Sequence, residues 1–195
     1  MKPHVKIIDT VPSQLFINAK KEVLSIDWNN LPVPDRRGEA AVFATSITNH
    51  LRVHRAPYGT PHNVESLSVF IDCVDTKARI MYPAIGSLIN WIYYKVSGSK
   101  LGRIMIVKLL PGGKISEHLD PGPYFQAHHR FHVPFITHKD MVFLGPGSSN
   151  PTHMPEGMLC QLANRDLHSA ENNSDVERIH LIIDADSSDS SYALF

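Results

Sequence analysis

The chain has little of what would tie it to a membrane, a secretory route or a polyanion. Cysteine occurs only twice, at Cys73 and Cys160. Two thiols build no disulfide framework, and their scarcity points to a reducing compartment. Net charge is missing as well, because 19 Lys and Arg balance 19 Asp and Glu. That removes any general electrostatic drive toward nucleic acid or anionic lipid. The longest largely apolar stretches, such as residues 104–110 and 179–183, are too short to span a bilayer. Met1 to Lys6 has neither the apolar segment nor the cleavage site of a signal peptide. No internal repeat or linker interrupts the 195 residues, a length suited to one domain with a buried core. The expectation is a soluble, cytoplasmic protein with no nucleic-acid or membrane partner; its oligomeric state stays open.

What the chain does have is histidine: twelve, of which eight lie between His118 and His180. Within that cluster runs His118-Leu119-Asp120, followed by His168 and then, ten positions on, by Arg178. Two histidines and one carboxylate can take three neighbouring corners around a metal and leave the others open, the arrangement of non-haem Fe(II) oxygenases. An arginine just beyond the last histidine can clamp a dicarboxylate co-substrate through two charge-assisted bonds. A histidine and an aspartate two apart arise often by chance, and the alternative is ordinary polar residues on a β-scaffold. Adding the distal histidine and the strand-opening arginine makes the pattern specific. His128 and His129 read as loop residues, His138 and His153 as surface residues, and Cys73 and Cys160 as core.

Residues 1–100 read as mixed α and β. Residues 14–27 fit either a helix or a pair of strands. Residues 51–61, with Arg52, His54, Arg55 and Tyr58, read as a solvated basic loop, the alternative being a second source of anion-binding groups. Residues 67–74 alternate weakly as a strand. Residues 84–96 predict a helix, with Ile85, Leu88, Ile89, Ile92 and Val96 at helical spacing and Gly98 as a stop. From Gly102 the pattern becomes short strands: 103–110, His129–Ile136, Met141–Leu144, Met158–Leu162 and 178–184. Turns rich in Pro and Gly at 111–113, 121–123, 145–147 and 155–157 separate them. Without interleaved helices, this argues for a sandwich or jelly roll. Phe131, Val133 and Phe135 share one strand face, with Arg130 and His132 on the other. Ile179, Leu181 and Ile183 likewise oppose Arg178, His180 and Ile182. A cavity lined by Arg130, His132, Arg178 and His180 would attract an anion, although any sheet with one wet face alternates in the same way. Residues 121–129, holding Tyr124, Phe125 and Gln126, form a candidate lid, and a polar tail follows Asp184.

Between Gly102 and Ala185 the chain resembles the aspartyl/asparaginyl β-hydroxylase family of Fe(II)- and 2-oxoglutarate-dependent oxygenases. The resemblance rests on Pro111-Gly112 seven residues before His118, on His118-Leu119-Asp120, and on Arg130-Phe131-His132-Val133-Pro134. It continues through Glu156-Gly157 and His168 with Asn172 and Ser174, and closes on Arg178-Ile179-His180-Leu181-Ile182-Ile183-Asp184. It implies a mainly β fold with flanking helices, a cupin-like double-stranded β-helix or jelly roll. It also implies one oxygenase domain over 1–195: an N-terminal part (1–100) packing on a catalytic core (101–185), then a tail (186–195). By the same resemblance His118, Asp120 and His168 bind Fe(II), and Arg178 takes the distal carboxylate of 2-oxoglutarate. Arg130 and His132 line the co-substrate and substrate region. The implied reaction uses O2 to hydroxylate an unactivated carbon of an amino acid, a peptide or protein side chain, or a related small molecule, releasing succinate and CO2. Substrate contacts are expected from the N-terminal half. In peptide hydroxylases of this family a serine on the strand before the metal motif helps to bind 2-oxoglutarate; here that position is Val107. The competing readings are a non-catalytic cupin-like binding protein and a metal-dependent isomerase or hydrolase. Neither needs the dicarboxylate clamp at Arg178.

Overall fold

Period-two alternation builds most of the fold, a computed structural model in which residues 5–32, 48–55, 73–96, 98–120, 122–145 and 152–187 are described. The elements run β1 (Val5–Thr10), α1 (Ser13–Leu24), β2 (Thr48–Arg55), β3 (Val74–Asp75), α2 (Lys77–Met81) and α3 (Pro83–Lys95). Then follow β4 (Gly98–Leu109), β5 (Lys114–His118), α4 (Pro123–Ala127), β6 (His129–Ile136) and β7 (Met141–Leu144). The last are β8 (Met158–Leu162), β9 (His168–Asn172) and β10 (Arg178–Ser187). They form a seven-stranded sheet, ordered β1-β8-β6-β10-β4-β2-β3, and a three-stranded sheet, ordered β5-β9-β7. The strand pairs are antiparallel. The fold is mainly β, a jelly roll with helices α1, α2 and α3 on one outer face.

Strand β10 shows how the layers arise. Its odd positions Ile179, Leu181, Ile183 and Ala185 join Phe131, Val133 and Phe135 of β6 in a buried cluster with α1 and α3. The even positions then turn to the opposite face of the pleat, toward the small sheet. A second cluster joins the sheets there, with Val5, Cys160 and Leu162 from the large one and Phe143 and Ala170 from the small one.

Helix α3 begins at Pro83, whose missing N–H is no loss in the first turn. It buries Ile85, Leu88, Ile89 and Ile92. The Glu22 carboxylate on α1 accepts the free N–H groups of Ala84 and Ile85 at 3.0 and 2.9 Å, capping α3 from its neighbour. Of residues 14–27, those up to Leu24 resolve to a helix, with Ala19 and Val23, one turn apart, on its buried side.

The N-terminal part does more than pack on the core, because β1 and β2 hydrogen-bond into the large sheet on β8 and β4. Residues 51–55 are strand rather than loop: Leu51 and Val53 alternate with the basic residues, and Val53 is fully buried. Residues 56–61, and most of the expected strand at 67–74, lie outside the described residues. Strand β10 runs on to Ser187, past the expected start of the tail. Among the described residues no helix is long and apolar enough to cross a membrane.

Candidate active site

Pairing of β5 with β9 sets His118 directly across from His168. The register reaches that match through an irregularity. Ile115 opposes Ala170, and β5 then takes three residues to reach the next match where β9 takes two. Simple alternation from Ile115 would turn Glu117 inward; the extra residue brings His118 there instead. The two rings lie 4.4 Å apart between centroids. Each Nδ1 bonds a backbone carbonyl two residues upstream, Ser116 O for His118 and Asp166 O for His168, both at 2.8 Å. A carbonyl can only accept, so Nδ1 carries the proton and Nε2 keeps its lone pair. Burial lowers the His168 pKa, favouring the neutral ring that can act as a ligand. Asp120 closes the triangle, with Oδ1 3.9 Å from His118 Nε2 and Oδ2 3.9 Å from His168 Nε2. One ligand atom from each of the three lies within 4.8 Å of the others. Two lone pairs held by backbone bonds and one carboxylate are a fitting donor set for Fe(II).

Further along the inner face lies Arg178, only 2% exposed. Two carboxylates close in sequence are taken elsewhere: Glu177 pairs with Lys108 at 3.0 Å, and Asp184 pairs with Arg130. Among the described residues no carboxylate pairs with Arg178. Its Nε and Nη2 lie 3.2 and 3.0 Å from the ring nitrogens of His180, and its Cζ sits 4.6 Å from the centre of the Phe143 ring. His132 approaches His180 at 3.4 Å between Nδ1 atoms, and its own Nε2 is buried without a partner. Burial, with the Arg178 charge adding to it, holds both imidazoles well below their ordinary pKa. They are neutral, so nothing in the chamber cancels the guanidinium. Burial lowers Arg178 itself to about 9, leaving it charged at neutral pH. A buried cation among neutral groups is a place for an anion, and 2-oxoglutarate carries one suited to a guanidinium fork. Val107 stands opposite His180 in the β10–β4 register, an apolar wall beside this chamber.

Arg130, read from the sequence as lining the co-substrate region, lies beside the metal triangle. Its Nε and Nη2 donate to the two oxygens of Asp184 at 2.8 and 3.1 Å, and its Nη1 donates to Asp120 Oδ2. All three guanidinium nitrogens therefore face carboxylates. Burial works against the charge of Arg130, but Asp120 and Asp184 outweigh it and raise its pKa. Burial likewise works to raise Asp184, and Arg130 and Arg103 more than offset it, holding the carboxyl at about 2. Tyr124 completes the network, donating to Asp184 Oδ2 at 3.2 Å and accepting from the Arg103 backbone N–H at 2.7 Å.

Sequence reasoning overlooked Tyr124, Arg103 and Asp184 as a unit. The available signal was an acid placed at the end of the apolar run Leu181-Ile182-Ile183. The expected lid is anchored, because Tyr124 is 1% exposed and its ring stacks on His128 at 4.1 Å. His128 lies in the connection from α4 to β6, as expected, but is buried, whereas His129 opens β6 rather than lying in a loop: His128 Nδ1 bonds Tyr124 O, and His129 Nδ1 meets Gln161 at 3.2 Å. Cys160 is buried, with its thiol pushed up to about 12 by burial, while Cys73 is half-buried. His153 is half-buried, with Nδ1 lacking a partner. Asn172, fully buried, donates to Leu109 O and Val176 O and accepts from Ser174, tying the turn that leads from β9 to Arg178.

Residues 70–187, more than half of the chain, match the family model of the aspartyl/asparaginyl β-hydroxylases. No curated protein matches this chain. Among solved structures, a Burkholderia pseudomallei oxidoreductase of the 2-oxoglutarate–Fe(II) oxygenase family superposes with a TM-score of 0.54 at 12% identity, covering 86% of this chain and 76% of that one. A Pseudomonas putida prolyl-4-hydroxylase superposes with a TM-score of 0.53 at 12% identity, covering 95% and 92%. At such identities the two structures attest the fold alone; the family model reaches further, and the chain belongs to the aspartyl/asparaginyl β-hydroxylase family.

Proposed function

We propose that this 2-oxoglutarate-dependent hydroxylase holds Fe(II) between His118 Nε2, His168 Nε2 and the Asp120 carboxylate, and seats the distal carboxylate of 2-oxoglutarate on Arg178. The observation that carries the reading is the pairing of a three-ligand triangle with a buried arginine that lacks any carboxylate partner among the described residues. When bound, the ion and the 2-oxo acid supply the oxidising chemistry: O2 is reduced, the 2-oxo acid leaves as succinate and CO2, and a hydroxyl reaches an unactivated C–H bond. The protein's own part is placement. Ser116 O and Asp166 O aim the two lone pairs. The Arg178 guanidinium fixes one end of the co-substrate, and the buried His132 Nε2 offers it a further polar contact. Phe143 and Val107 keep that chamber apolar. The substrate is an amino acid, a peptide or protein side chain, or a related small molecule, and a cytoplasmic location belongs to the same reading. A silent binding protein or an isomerase on this scaffold has no use for the uncompensated Arg178.

Anaerobic protein given Fe(II) and 2-oxoglutarate should develop the visible absorption band of the chelated 2-oxo acid. His118→Ala should abolish the band, and Arg178→Ala should raise the 2-oxoglutarate concentration needed while sparing the metal. A wild-type protein without the band, or an undiminished band in His118→Ala, refutes the assignment. Coupled succinate formation across a panel of amino acids and peptides then identifies the substrate.

A further inference from the structure

Asp184 touches neither the metal triangle nor Arg178, yet it is fully buried and takes hydrogen bonds from two elements. Its place on β10 is directly across from Arg130 on β6. That register presents the two-pronged edge of the guanidinium, Nε and Nη2, to Asp184 and leaves only Nη1 for Asp120. One positive charge is thus divided between two carboxylates, and the metal ligand engages one of the three donors. Tyr124 Oη and Arg103, whose Nε stands 3.8 Å away, fix Asp184 from the far side so that it cannot follow Arg130.

We propose that Asp184 is a positioning residue for the carboxylate metal ligand: by occupying two of the three donors of Arg130, it restrains that arginine from closing on Asp120 and keeps the Asp120 charge available to a divalent cation. This rests on the metal site assigned above. The physical reason is competition. A carboxylate engaged by both prongs of an arginine is a strong, charge-assisted pair, and whatever a guanidinium gains on Asp120 a bound cation must displace. Replacing Asp184 by asparagine removes the charge and turns one acceptor into a donor facing other donors. Arg130 would then turn its fork onto Asp120.

The test is the affinity of the full chain for Mn(II), read from loss of the free-ion electron paramagnetic resonance signal, which needs no turnover. Asp184→Asn should weaken Mn(II) binding about tenfold or more, in the range of outer-sphere partners of metal ligands. The double variant Arg130→Met/Asp184→Asn should recover most of the lost affinity, because no guanidinium is left to compete. A merely structural Asp184 would lower the unfolding midpoint in both variants without this recovery. The proposal is overturned if folded Asp184→Asn binds Mn(II) as wild type does, or if the double variant binds no more tightly than the single one. Should Asp184→Asn fail to fold, the double variant decides alone: affinity near wild type supports the proposal, and affinity as low as that of Asp120→Ala overturns it. If Asp120→Ala itself binds Mn(II) like wild type, the metal site is what fails.

Discussion

Arg178→Met should make the ligand-free protein more stable and, at the same time, indifferent to 2-oxoglutarate. Burial holds the guanidinium well below its ordinary range, at about 9. At about 1.4 kcal/mol per pH unit, keeping that charge in the chamber costs about 5 kcal/mol. Below about pH 9 that cost does not vary with pH. Contacts return part of it. The face of Phe143, 4.6 Å from Cζ, contributes about 1–2 kcal/mol. The one acceptor nitrogen of the neutral His180 ring, at 3.0 or 3.2 Å, adds about 1.5–3 kcal/mol as a hydrogen bond to a charged group. Methionine keeps a flexible, apolar side chain against Phe143 and removes the charge. The expected balance in urea unfolding without ligand is a gain of about 1–2 kcal/mol, as when buried charges give way to apolar groups. Wild type with a divalent metal, and with 2-oxoglutarate at a hundred times its Kd, should gain about 2.7 kcal/mol; the variant should gain nothing from the 2-oxoglutarate. A variant that is less stable by 2 kcal/mol or more, or that still responds to 2-oxoglutarate, would refute the reasoning.

Two further perturbations probe the network around the metal ligand. Asp184, held at about 2 against an ordinary 3.8, contributes stability that is complete above about pH 4 and lost as pH falls toward 2. Wild type should therefore lose about 2 kcal/mol more than Asp184→Asn over that window in urea titrations, and equal slopes would contradict the ion pair. Gly102→Ala should destabilise the fold by about 1–3 kcal/mol in thermal unfolding, because strand β4 passes too close to α4 for a side chain. A Cβ there would overlap the Tyr124 hydroxyl and lie 2.9 Å from His128 Cδ2; an unchanged midpoint would show that Tyr124 is not fixed.

The large sheet was legible wherever one strand face is apolar. Phe131, Val133 and Phe135, and likewise Ile179, Leu181 and Ile183, all enter the helix-facing core as their alternation predicts. In the small sheet only β7, Met141–Leu144, was legible, and β5 and β9 were not, for a chemical reason. In β9 the inward residues are His168, Ala170 and Asn172, and in β5 Ile115 is the one aliphatic residue. Polar groups with functional or capping duties occupy positions where apolar residues would have marked the strand. The triangle itself was readable from residue type and order, although simple alternation would have turned Glu117 inward. The partnership of Arg130 with Asp184 lies in strand register, which depends on long-range pairing and leaves no local trace in sequence. Register likewise gives Asp184 to Arg130, and Glu177 pairs with Lys108, so neither of these carboxylates neutralises Arg178.

The facing of His118 and His168 across β5 and β9 also has a mechanical side. Any cation gripped by both imidazoles fastens two points of the chain between which α4, β6, β7 and β8 are threaded. It then acts as a reversible cross-link, withdrawing freedom from the unfolded chain much as a covalent bridge would. A protein with two distant thiols and no such bridge of its own would draw part of the cohesion of its smaller sheet from iron, so that metal supply and structural integrity rise and fall together.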